Sequence, residues 1–199
     1  MGIPSSMRVV LLVGAVWLWA HSAVAQGHQV HTEWATLTAE LGAGVPLGTP
    51  FGPEWSVEPG LAIRGVSPAY GGDVRGSLLA FEADPQRDDL PGFLVLAMAV
   101  GWGPSLDLGP VHLGVGPELG VVHMRFEAEG GFTGPLKDET EVHVGVFGRA
   151  EVPLTKHMQV WADASVARIA LAERVTLASL AAGVSVRIHT PGWLQDVLR

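Results

Sequence analysis

Charged residues are sparse in this chain, and nine of them fall at one phase of a two-residue alternation. Glu40, Glu58, Arg64, Arg75, Glu118, Arg149, Glu151, Asp163 and Arg187 all have uncharged, mostly apolar neighbours on either side. If that phase is enclosed, mutual ion pairing is the chemistry open to them, because a buried charge without a partner is too costly to keep. Both signs are present, as such a network requires. A hairpin centred near Thr133–Gly134 would set Glu118 almost opposite Arg149, and a register shift of two would leave them diagonal neighbours. A conducting or gated pore would use the same charges.

Other chemistries find less support. His28 and His31 are spaced i and i+3 near the start of the chain. His112 and His143 share the charged phase but fall toward opposite ends of their hairpin, while His123 and His157 read as rim residues. None has ligand spacing with a carboxylate, so no metal site is expected. A nucleophilic serine would need a histidine close by and a carboxylate to orient it. In "HMQVWADAS", His157 and Ser165 are too far apart along one strand. Gly114-Val115-Gly116 is followed at the decisive position by Leu119, so the dinucleotide fingerprint fails. The sequence offers no catalytic, cofactor-binding or metal-binding residues, and no cofactor is expected.

The elements that must carry these charges are strands. Period-two alternation runs through Glu33–Val45, Trp55–Val66, Asp73–Ala83, Phe93–Leu106, Val111–Glu127, Thr140–Val152, Met158–Leu171 and Val175–His189. In "LGPVHLGVGPELG" one phase is Val111, Leu113, Val115 and Leu119; the other is His112, Gly114, Gly116, Glu118 and Gly120. A water-soluble sandwich packs its bulky face inward and would place Lys, Glu and Thr outside, not repeated glycine and alanine. A closed membrane barrel inverts the assignment, with bulky residues toward lipid and small ones lining a narrow interior. Strands of ten or more residues are long enough to cross a bilayer when tilted. A lipocalin-like soluble barrel would put its bulky residues inside, which the small-residue face argues against. Trp34, Trp55, Phe93, Trp102 and Trp161 lie near strand ends, where interfacial aromatic girdles belong, although Trp34 and Trp161 share the interior phase.

Composition agrees. The 199 residues are 48% hydrophobic and only 16% charged, with 26 glycines, 14 prolines and no cysteine. The net charge of −8 argues against nucleic acid. Residues 1–25 read as an export signal: Arg8, the apolar core "VVLLVGAVWLWA", then Ala23-Val24-Ala25. Residues 26–189 then form the barrel. Residues 190–199 form a short periplasmic tail, with Trp193, Leu194, Val197 and Leu198 on one face of a short helix after Pro191.

The export signal, eight alternating strands and recurring "ELG", "GxG" and "LGP" turns resemble the small eight-stranded outer-membrane barrels of the OmpA-transmembrane, OmpX and opacity-protein type. The resemblance covers about Glu33 to His189 and implies an all-β, eight-stranded antiparallel up-and-down transmembrane barrel in the cell outer membrane. It carries no catalytic residues. Such barrels commonly end on a terminal aromatic, whereas this chain ends at Arg199. The function expected is structural or surface-interaction, with a charge-plugged lumen, outer-membrane lipid around the wall, and extracellular or envelope partners held by Pro46–Glu54, Asp84–Gly92 and Ala128–Glu139. The alternative is a small pore or solute-transport channel, and the third a lipid-modifying enzyme. The His-x-Ser pattern of lipid A deacylases is missing from the mature sequence.

Overall fold

A computed structural model describes residues 36–69, 71–127, 137–170, 175–190 and 192. The chain divides into two units, Met1–Thr32 and Glu33–Arg199, and every described residue belongs to the second. The export-signal segment, Trp34, and the tail residues Trp193, Leu194, Val197 and Leu198 therefore lie outside the described residues, as do most of the third long loop and the short turn near Glu173.

The described residues form nine strands: β1 (Thr36–Pro46), β2 (Trp55–Val57), β3 (Gly60–Ala69), β4 (Gly72–Pro85), β5 (Gly92–Leu108), β6 (Val111–Glu127), β7 (Glu139–Pro153), β8 (Met158–Ile169) and β9 (Val175–His189). β1 pairs with β3, each later long strand pairs antiparallel with the next, and β9 returns to β1. The long strands close an eight-membered ring, and the short β2, paired with β4, extends one of its staves. Among the described residues no helix is long and apolar enough to cross a membrane.

The ring sorts side chains as the alternation requires. Val100, Leu119 and Val144 stand side by side on β5, β6 and β7, and each is at least 59% exposed. Their outward-facing companions include Leu41, Ile63, Met98, Val146, Val166 and Val184, all exposed. A water-soluble domain does not leave so continuous an apolar girdle uncovered. A tight two-residue turn joins β5 to β6. Between β5 and β6, Gly109 adopts φ 62°, a left-handed conformation that a Cβ would strain. Gly109→Ala is expected to cost about 1 kcal/mol of unfolding free energy, measured by denaturant titration of the refolded protein.

The second stave departs from a single strand. Val57 pairs with Ala83 and Leu61 with Ala80, so two residues, Glu58 and Pro59, oppose the single residue Glu82. This is a β-bulge, placed where proline has no N–H for the ladder. At its lower edge a Cβ on Gly60 would run into the Ala80 carbonyl. The extra residue reverses the inward phase. Below the bulge Ala62 and Arg64 point inside, whereas above it the inward positions are Trp55 and Val57.

Candidate functional site in the barrel lumen

The interior is layered along its axis. Toward the end where β1 leads into β2, it is apolar. Phe51, from the loop between them, packs edge-on to Phe93 with ring centroids 5.1 Å apart and reaches Phe81 at 6.3 Å. Trp55 and Phe126 lie on Phe93 at 5.9 and 5.2 Å. Trp55 Nε1 donates to the Pro91 carbonyl at 3.1 Å, which ties β2 to the loop between β4 and β5. Val95, Val122, Met124, Ile169 and Leu177 fill the space beneath.

Below this cluster the lumen is charged. Arg75 donates to both Asp163 and Glu118, and Arg64 NH2 donates to the other Asp163 oxygen at 3.0 Å. Arg149 NH2 donates to Glu40, and to Glu151 at 2.7 Å. The chain extends through Ser185 Oγ, which donates to Glu151 at 3.2 Å. All seven charged side chains are at most 6% exposed. Two guanidiniums also lie on aromatic rings, Arg64 at 4.4 Å from the Trp161 centroid and Arg75 at 3.8 Å from Phe147. A desolvated stack of this kind adds about 2 kcal/mol. Three guanidiniums thus face four carboxylates: Arg64, Arg75, Asp163 and Glu118 join β3, β4, β6 and β8 across the lumen, and Arg149 with Glu40 and Glu151 joins β7 to β1.

At the opposite mouth His112 bridges two strands, its ring nitrogens 2.7 Å from Asp107 and 2.8 Å from Asp73. Among the described residues no group of three or more His, Asp or Glu side chains is arranged to hold a metal ion.

Several solved outer-membrane proteins share this ring. OprG from Pseudomonas aeruginosa superposes with a TM-score of 0.55 at 12% identity, over 83% of this chain and 99% of that one. Neisserial surface protein A gives 0.52 at 12% identity, over 78% and 96%. Ail, the attachment invasion locus protein of Yersinia pestis, gives 0.51 at 11%, over 77% and 99%. The fold is that of the small eight-stranded outer-membrane β-barrels. No family model and no curated protein matches the sequence itself. Ail has also been crystallised with the heparin analogue sucrose octasulfate.

Within this outer-membrane-type barrel, Glu40, Arg64, Arg75, Glu118, Arg149, Glu151 and Asp163 come together in the lumen. Two of the charges read from the sequence do not join them. Glu58 is exposed, because the bulge turns it outward beside Glu82. Arg187 keeps the inward phase but lies at the open mouth, two residues beyond buried Ser185, and is exposed. The pairing of Glu118 with Arg149 is also corrected. β6 and β7 register Glu118 with Gly145 and Gly114 with Arg149, four residues from the sequence-based alignment. Glu118 meets Arg75 instead, and Arg149 meets Glu40 and Glu151. Of the aromatic residues assigned to a girdle, Trp102 faces outward, but Phe93 and Trp161 are buried inside and Trp55 packs on Phe93. The apolar stack departs from the small-residue lumen that the alternation predicts. Its signal lay in the inward phase, where Phe81, Phe93, Val95, Val122 and Met124 are larger than a uniformly small lumen face would allow.

Proposed function

We propose that the chain is an outer-membrane protein with a structural or surface-interaction role and a lumen closed to solutes. In this reading residues 1–25 direct export, residues 26–189 hold the barrel, and residues 190–199 form a periplasmic tail. Outer-membrane lipid covers the apolar girdle, and the outer loops carry the contacts. The observation that supports it is the lumen's double filling, with an aromatic stack at one end and a pervasive ion-pair lattice below. No catalytic step and no cofactor belong to it.

The outer end favours some partners over others. Glu58, Glu82, Asp84, Asp88, Asp89, Asp138 and Glu139 are exposed there, against Arg87, Arg125, Lys137 and Arg168. An acidic rim repels polyanions, so a sulfated ligand of the kind crystallised with Ail is disfavoured. A neutral or cationic partner fits better.

Planar-bilayer recording tests the closed lumen. The refolded wild type is expected to show no unit conductance above the bilayer leak, and Glu118→Gln should lower stability without creating any. Discrete conductance steps in the wild type, or their appearance in Glu118→Gln, would replace the plug with a pore gated by these charges.

A further inference from the structure

Between the ion-pair lattice and the aromatic stack lies a cavity of about 30 Å³. Arg64, Arg75, Glu118, His143, Ser165 and Ser179 contribute to its lining. Four N–H or ring-nitrogen positions on these residues have no partner within the protein: Nε and NH1 of Arg64, Nε of Arg75 and Nδ1 of His143. All three residues are more than nine-tenths buried. Ser165 and Ser179 hydroxyls bond each other at 2.8 Å, which leaves one hydroxyl hydrogen of the pair uncommitted. A buried donor left unpaired forfeits the hydration it had in the unfolded chain, so the arrangement calls for an occupant.

The lining narrows what that occupant is. The guanidinium donors require an acceptor, which excludes ammonium and metal cations. Glu118 lines the same space, and its carboxylate repels a halide or any other anion. The surrounding lattice also carries four carboxylates against three guanidiniums, which adds to that repulsion. Water both donates and accepts, and so satisfies Arg64 and Glu118 together. A water molecule needs about 10–15 Å³ of such volume, so the cavity takes about two.

We infer that this chamber is a buried hydration site, binding a pair of ordered water molecules that bridge Arg64 to Glu118 and to the Ser165–Ser179 hydroxyls. The site concerns what fills the lumen, not whether the lumen conducts, so it stands apart from the closed-barrel reading. The paired waters complete the coordination of Arg64, whose carboxylate partner Asp163 is shared with Arg75.

Crystals of the detergent-solubilised barrel grown with bromide as the sole halide, measured at the bromine absorption edge, provide the test. The expected result is two density peaks in the chamber, about 3 Å from Arg64 and Glu118, without anomalous signal. An anomalous peak would overturn the inference in favour of a halide site. A chamber without density would overturn it in favour of a dry cavity.

Discussion

Replacing Arg75 with methionine is expected to lower the barrel's unfolding free energy by about 3–5 kcal/mol, the cost of breaking a buried ion pair from one side. Arg75 lies at the centre of the lattice. It alone joins Glu118 to Asp163, and its guanidinium covers the Phe147 ring. Methionine keeps much of the stem volume but leaves the Glu118 carboxylate facing a low-dielectric interior without its cation. Asp163 suffers less, since Arg64 remains beside it. The partners are therefore unequal, which makes the effect separable. Glu118→Gln introduced on top of Arg75→Met should recover a large part of the loss, whereas Asp163→Asn should deepen it by depriving Arg64 of its acceptor. Denaturant-induced unfolding from lipid vesicles reads all four proteins. A cost below about 1 kcal/mol for Arg75→Met would place the lattice in the range of solvated surface pairs and dissolve its role as a plug.

Val100→Arg should cost about 2–4 kcal/mol in a bilayer, the penalty measured for cations at the midplane on the lipid face of such barrels. Val100 is midway along β5, 64% exposed, and flanked by Leu119 on the neighbouring strand. In water the same substitution at so exposed a position would be nearly neutral. The measurement therefore decides which solvent the girdle meets. A change within about 0.5 kcal/mol would return the aliphatic face to water and remove the membrane from the account.

How far the molecule could be read from its sequence depends on the range of the interaction concerned. Fold class rests on a local rule, alternation, and Val142, Val144 and Val146 against His143 and Phe147 state it within a single strand. The inward phase of Arg64 or Asp163 follows from the same rule. Their partnership does not. Arg75 and Asp163 lie on β4 and β8, which share no ladder, and they meet only because the ring closes and the lumen is narrow. The register between β6 and β7 was equally out of reach, because it depends on how residues 128–138 are divided between strand and loop, and glycines there leave several divisions open. Glu58 shows the third kind of failure. Alternation extrapolated through Pro59 crosses a bulge, and a proline within a strand was the available warning.

That bulge lets one stave speak two dialects. Upstream of Glu58–Pro59 the odd positions supply the aromatic mouth; downstream the even positions supply Ala62 and Arg64. Removing Pro59 alone would take out the punctuation and leave the message: Glu58 would lie opposite Glu82 in an unbroken ladder, still facing out, with Trp55 and Val57 still facing the lumen. The two dialects are a matter of numbering. In space the inward face runs unbroken from Trp55 to Arg64, and the mouth is sealed by side chains that a strict odd-or-even reading would send to the lipid.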